Sequence, residues 1–287
     1  MKEVIIIGSG PAGISAALYT LRGGIKTTII GKDAGALSKA ENIENYYGLK
    51  SPISGKELAK TGLAQALSLG AVFVQDEVVS IGFEDRLVVK TPASTYKTDS
   101  ILLATGAARK TAALQNIEAF EGKGVSYCAV CDGFFFKGKD AAVLGNGDYA
   151  LSEALELLPL AKSVTILTNG QAQAFTLQES SGIAVNTKKI AALTGTDVLE
   201  GVTFEDGSLF STAGLFIAIG VASSSDLAKK IGIFTAGNAI ATDDEMRTNL
   251  PGIFAAGDCT GGLLQIAKAV HEGAKAGLSV IKYLKET

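Results

Sequence analysis

The 287-residue sequence predicts an α/β protein of two three-layer domains with parallel sheets, the second inserted in the first. Three observations carry that expectation. A glycine-rich turn at residues 8–13 lies between an apolar strand pattern and an apolar helical pattern. The same order starts again at residues 141–158, around a second glycine turn at 145–147. A strand ending in Gly257-Asp258, of the kind that belongs with the first unit, arrives only after the second. The length allows two cores of ordinary size.

Residues 4–7, Val-Ile-Ile-Ile, are an apolar run bounded by glycine, the pattern of a buried parallel strand. Gly8, Ser9, Gly10, Pro11, Ala12 and Gly13 follow, and Ile14, Ala17, Leu18 and Leu21 continue at helical spacing. A strand at 27–30 completes a βαβ unit. Glycines in such a turn let the backbone approach a pyrophosphate, whose charge is met by the helix N-terminus. G-x-G-x-x-G alone is a weak pattern, and the strand–turn–helix–strand context makes it specific. Gly31-Lys32 stands where an NAD-binding unit carries an acidic ribose ligand, so a different dinucleotide is expected. Residues 101–106 and 252–258 are two more short strands ending in small-residue turns. Asp258 can hydrogen-bond sugar or ribityl hydroxyls, with helix capping as the ordinary alternative. Ile266, Ala269, Val270, Ala274, Leu278 and Ile281 predict a last helix over 263–284, its N-terminus directed beyond Gly257-Asp258.

In the inserted unit a strand is expected at 141–144, a turn at 145–150, a helix at 151–158 ended by Pro159, and a strand at 163–167. The expected domains are 1–109 with 222–287, and 110–221. Small polar residues at the two crossings, 107–110 and 221–225, would permit one domain to rotate on the other.

Cys128 and Cys131, in Cys-Ala-Val-Cys-Asp, are spaced so that one tight turn brings them within bonding range. Such a ring opens readily, and one thiol of the pair usually attacks as thiolate. Asp132 is placed to exchange a proton with the leaving thiol. A structural zinc site needs four ligands, whereas the chain has three cysteines and one distant histidine, His271, so no metal is expected. A merely buried cysteine pair is the remaining alternative. Cys259 reads as a packed small residue and His271 as a helix-face residue. Apolar residues at 47% and charged residues at 19% fit a soluble α/β protein. A net charge of −3 without a basic stripe argues against nucleic acid. No signal or membrane-length apolar run is seen, and cysteine usage suits a reducing cytoplasm.

These motifs, in this order, resemble the low-molecular-weight thioredoxin reductase family across nearly the whole chain. The matching pieces are 8–13, Glu-Asn-Tyr-Tyr-Gly at 44–48, Ala-Thr-Gly at 104–106, Cys-Ala-Val-Cys-Asp-Gly-Phe-Phe at 128–135 and Ala-Ala-Gly-Asp at 255–258. The resemblance implies two Rossmann-like domains: a discontinuous outer one holding FAD, and a central one for NADPH that carries the dithiol. It implies that residues 8–13 cradle the pyrophosphate, that Ala104, Thr105 and Gly106 lie by the adenosine, and that Gly257 and Asp258 lie by the ribityl. It puts Gln265, Ile266 and Ala267 beside the flavin's pyrimidine edge and Asn45 at a flavin contact. Gly31, Lys32, Gly35, Ala36, Leu37 and Val78 fall on further cofactor positions. The family usually has a basic residue and Gln where Gln265-Ile266 stand. By resemblance Cys131 lies nearer the flavin, Cys128 attacks the thioredoxin disulfide, and the enzyme is a homodimer.

The central domain departs from the pattern. The family's Gly-Gly-Gly-x-x-Ala turn reads Gly145-Asn146-Gly147-Asp148-Tyr149-Ala150 here, adding a side chain and a negative charge. Where the family has a His-Arg-Arg cluster for the 2′-phosphate, this chain has Thr168-Asn169-Gly170, and residues 171–178 hold no Lys or Arg. Losing such bonds typically costs about two orders of magnitude or more in affinity. No acid replaces the cluster, so NAD is not signalled either. The chain thus resembles the ferredoxin-dependent flavin thioredoxin reductases of clostridia-like anaerobes, in which ferredoxin supplies electrons to the flavin and a pair passes to the disulfide. Arg109, Lys110, Lys137 and Lys139 are candidate ferredoxin contacts. Two other readings stay open: a nicotinamide-dependent disulfide reductase, and a non-catalytic flavin-binding redox sensor.

Overall fold

In a computed structural model, residues 2–33, 35–107, 114–175, 182–220, 222–237 and 239–287 are described. The chain opens with β1 (Glu3–Ile7), α1 (Pro11–Arg22), β2 (Lys26–Ile30), α2 (Gly55–Ser68) and β3 (Val72–Val74). Four strands follow: β4 (Ser80–Phe83), β5 (Leu87–Lys90), β6 (Thr95–Thr98) and β7 (Ser100–Leu103). Next come α3 (Ile117–Phe120), β8 (Val125–Ser126), α4 (Ala129–Asp132), β9 (Asp140–Leu144), α5 (Asp148–Leu157), β10 (Ser163–Leu167) and β11 (Ile183–Asn186). Then β12 (Ile190–Gly195), β13 (Leu199–Phe204), β14 (Leu209–Ser211) and β15 (Gly214–Ile217) lead to α6 (Ser224–Lys230). The short strands β16 (Thr235–Ala236) and β17 (Ala239–Ile240) precede β18 (Ile253–Ala255) and the long α7 (Ile266–Glu286).

The chain forms two compact units, Met1–Arg109 with Ser223–Thr287, and Lys110–Ala222. In the first, a parallel sheet runs in the order β18-β7-β1-β2-β3, with an antiparallel sheet β4-β5-β6 beside it. Ile6 of β1 stands opposite Ile29 on one side and Leu102 on the other, all three fully buried. That is why these strands read as continuous apolar runs: both faces of a parallel sheet are covered. β18 pairs with β7 although the whole second unit lies between them in sequence, so the second unit is an insertion. Ala16 and Ala17 of α1 and Ala276 and Val280 of α7 share one core. The two helices lie close because glycine stands at the crossing: a Cβ on Gly273 would run into the Ala12 carbonyl. In the second unit the parallel order is β11-β10-β9-β15-β8, with an antiparallel sheet β12-β13-β14. Its core holds Leu144, Leu167, Leu193, Val202 and Leu215.

Two expected boundaries shift. The helix expected at 151–158 begins at Asp148, because an acid suits the first turn, where the helix N-terminus is positive. The last helix begins at Ile266 rather than 263, since Gly261 and Gly262 both take left-handed φ (+76° and +73°) and Gln265 is extended. Residues 108–110 and 221 of the expected crossings, and 176–178 of the cation-free stretch, lie outside the described residues, as do Arg109 and Lys110. Ser223 and Ser224 of the second crossing open α6. Among the described residues no helix is long and apolar enough to cross a membrane.

Candidate active site

The dithiol sits where β8 gives way to α4. Cys128 is extended (φ −150°, ψ 105°) and caps α4, its Sγ accepting the Cys131 N–H at 3.2 Å. The two sulfurs are joined, with Cα atoms 5.3 Å apart. Ser126 Oγ donates to Asp132 Oδ2 at 2.7 Å and accepts the Cys128 N–H at 3.1 Å, so one hydroxyl orients both the acid and the first cysteine. Sequence reading missed Ser126, although short hydroxyl side chains often bond back to nearby backbone. It missed Glu153 as well. That residue of α5 is 1% exposed and accepts the Ala129 N–H at 2.8 Å. Nothing local in the sequence distinguishes it from an ordinary helix glutamate. Cys128 is 4% exposed, whereas Cys131 is exposed, as are Val130, Phe134 and Phe135 around it.

Cys259 belongs to the other unit and is buried, its thiol within reach of the Leu103 and Ala256 carbonyls. Burial pushes that thiol up to about 12, so it is inert as a nucleophile. His271 is exposed on α7.

The first unit's turn is built by close approach. A Cβ on Gly8, at φ +117°, would run into the Ala104 carbonyl, and one on Gly13 into the Gly8 carbonyl. Gly10 differs: a Cβ there would meet nothing within 4 Å. It precedes α1, which has Pro11 in its first turn, no side-chain cap and no acid there. The first-turn N–H groups therefore have no side-chain cap at the positive end of a helix. Ser9 lies against Gly31, where a Cβ would come 2.6 Å from its Oγ. Gly35 donates its N–H to Asp33 Oδ1 at 2.7 Å and starts the 3-10 turn containing Ala36 and Leu37. Thr105 exchanges hydrogen bonds with Ser224 of α6, the two hydroxyls 2.6 Å apart.

Asn45 Nδ2 donates to Gln265 Oε1 at 3.2 Å, joining two expected cofactor residues 220 positions apart. A cavity of about 200 Å³ adjoins the turn, lined among others by Ser9, Gly10, Pro11, Leu37, Tyr46 and Ile266. Ala267 is exposed in the first turn of α7. Lys32, which stands at the end of β2, pairs through Nζ at 2.5 Å with Glu77, a carboxylate buried next to the buried Val78. Asp258 ends the β18 turn. Burial pushes its carboxyl above the usual range, Glu272 adds to this and Lys268 opposes it. Lys268 and Glu272 pair at 2.9 Å and clamp this turn: Lys268 reaches the Gly257 carbonyl and Glu272 accepts the Gly257 N–H, each at 2.8 Å. An open glycine before an uncapped helix, with a carboxylate at a neighbouring strand end, fits a dinucleotide such as FAD.

The second unit's turn is different. Gly145 is required there, since a Cβ would run into the Ala218 carbonyl. Asn146, however, is engaged by its own chain: its Nδ2 donates to Ala172 O at 2.9 Å and its carbonyl accepts the Ala174 N–H at 2.7 Å. Residues 172–174 are thus folded onto the turn. Asp148 stands in the first turn of α5. Lys188 and Lys189, the first cations after β10, are paired with Asp206 at 2.8 Å and Glu205 at 2.6 Å. Lys139, a candidate docking lysine, lies 5.9 Å from the Phe136 ring.

Fold and site together define a protein with two nucleotide-type domains, the second of which carries a Cys-x-x-Cys disulfide. The family model for pyridine nucleotide-disulphide oxidoreductases matches residues 2–273. The thioredoxin reductase of Bacillus subtilis is 37% identical, over 99% of this chain and 95% of that protein. Among solved structures, the atypical thioredoxin reductase TRi of Desulfovibrio vulgaris Hildenborough superposes with a TM-score of 0.94 at 45% identity, covering 100% of this chain and 99% of that one. A ferredoxin-flavin thioredoxin reductase of Clostridium acetobutylicum gives 0.74 at 28% identity, with both chains fully covered. The chain belongs to the pyridine nucleotide-disulphide oxidoreductase family and is a disulfide reductase of the thioredoxin-reductase type.

Proposed function

We propose that this protein binds FAD in its discontinuous unit and reduces thioredoxin through Cys128 and Cys131, with electrons supplied by reduced ferredoxin rather than a nicotinamide. Residues 8–13 would hold the diphosphate, Asp258 the ribityl, and Asn45 with Gln265 the ring system. Bound there, FAD supplies a carrier that accepts electrons singly and releases them as a pair. In the acceptor step, the Cys128 thiolate attacks one sulfur of the thioredoxin disulfide, whose S–S bond breaks as a mixed disulfide forms. Cys131 then attacks the Cys128 sulfur and releases the second thioredoxin thiol. Asp132, held by Ser126, gives the leaving thiolate its proton. A homodimer in the cytoplasm is part of the same reading.

The observation that carries the choice of donor is the second unit's turn, where residues 172–174 bond to Asn146 on the face a pyrophosphate would need. Asp148 beside it and the pairing of Lys188 and Lys189 with Asp206 and Glu205 support the same reading, since neither offers a free cation to a phosphate. Ferredoxin needs only a weak docking surface, so its rate should fall with added salt. The test is stopped-flow flavin reduction without oxygen. Reduced ferredoxin should bleach the yellow protein, and NADPH and NADH should not at micromolar concentration. Fast bleaching by micromolar NADPH would restore the nicotinamide-dependent enzyme.

A further inference from the structure

We infer that Glu153 is a positioning residue for the dithiol: it holds the turn at Ala129 and keeps the reduced Cys128–Cys131 pair from being over-stabilised. The inference rests on the disulfide-reductase reading of the chain, and not on the identity of the electron donor. Ala129 is the first residue of α4, so its N–H is one of the donors that a helix start leaves without an intrahelical partner. A second such donor, the N–H of Cys131, goes to Cys128 Sγ. The first is taken by Glu153 instead, at 2.8 Å and in a buried setting. Two of the donors at this turn are therefore divided between the sulfur and a carboxylate.

That division has an energetic sense. A donor to Sγ favours the thiolate, whereas a buried carboxylate one residue away disfavours it, because charges in a poorly solvated interior interact strongly. A thiol–disulfide pair whose reduced form is strongly stabilised is an oxidant. A protein that must hand electrons to another disulfide needs the opposite. Asp132, the other carboxylate of the turn, is engaged by Ser126. On α5, Asp148 stands at the nucleotide turn, Tyr149 is buried and Glu156 is exposed, and the turn Gly133–Phe136 carries no ionisable side chain. Glu153 is thus the α5 carboxylate bonded to the dithiol turn.

The test uses the full chain with its flavin, equilibrated with dithiothreitol and its oxidised ring, then trapped with a mass-tagged maleimide. In that equilibrium the Cys128–Cys131 S–S bond gains two electrons and two protons, and dithiothreitol closes its own disulfide. Glu153→Gln keeps an acceptor oxygen and removes the charge. It should shift the equilibrium about tenfold toward the dithiol, equivalent to about 30 mV. Ala129→Pro keeps the charge and removes the donor, at a position where proline suits a helix start, and should shift the equilibrium toward the disulfide. A Glu153→Gln equilibrium within twofold of wild type, or moved toward the disulfide, overturns the inference. If that variant does not fold, the sign of the Ala129→Pro shift decides, and no shift or a shift toward the dithiol overturns it. Thioredoxin turnover by the wild type, measured alongside, reports separately on the proposed function.

Discussion

Gly10 shows how a single missing side chain can make a site. Gly8 and Gly13 are glycines because the protein's own backbone lies where a Cβ would be; Gly10 is open on that side. Its backbone, at φ −78° and ψ −177°, is extended and open to any residue. Gly10→Val should therefore cost the fold only about 1 kcal/mol, the usual penalty for an apolar residue before a helix. It should nevertheless leave the protein colourless, because the isopropyl group would occupy the place proposed for the diphosphate. Thermal melting of the apoprotein and absorbance of the purified variant check both halves. A yellow Gly10→Val protein would refute the cradle. Cys259 makes the complementary point. Its position beside Asp258 is conspicuous in the sequence, yet burial raises its thiol, which disfavours the thiolate.

Among the elements, α6 links stability to the site. Ser223 and Asp226, at a stretch the sequence marked only as a crossing, form a reciprocal capping box. The next residue, Ser224, bonds to Thr105 and so fixes the 104–106 turn that packs on Gly8. Ser223→Ala should lower stability by about 1 kcal/mol in urea unfolding, the typical value of a lost cap. It should also weaken FAD binding in a titration of the apoprotein. A variant as stable as wild type would show that the box contributes nothing measurable. α5 has a related lesson. The glycine turn before it keeps the G-x-G-x-x-A spacing in sequence, but only the structure shows that Asn146 within it is bonded to Ala172 and Ala174.

At the scale of the whole molecule, the open glycine turn and the dithiol lie in different units. Cys128 is buried while Cys131 is exposed, so the proposed attack by Cys128 requires that its sulfur become accessible during turnover. The Cys131 N–H aimed at Cys128 Sγ is what favours Cys128 as the thiolate. Cys131→Ser should accordingly trap thioredoxin as a mixed disulfide through Cys128, with FAD retained and turnover abolished. Peptide mapping of the trapped species checks this. Trapping through Cys131 in a Cys128→Ser variant would exchange the two roles.

The sequence by itself determined the main strands of the two parallel sheets at 4–7, 27–30, 101–106, 141–144, 163–167 and 252–258, the glycine turns, the insertion and the Cys-x-x-Cys pair. These depend on short-range physics: continuous apolar runs and period-3.6 apolar patterns, the backbone freedom of glycine, and the reach of one helical turn. Tertiary structure alone decided that Asn45 meets Gln265, that Glu77 takes Lys32, that Glu153 reaches Ala129, and that residues 172–174 cover Asn146. Most of these pairs join residues tens to hundreds of positions apart, and none leaves a periodic trace along the chain. Each forms only because sheet order and helix packing carry its two partners to one place, and that order is set by the sum of all buried contacts rather than by any local stretch.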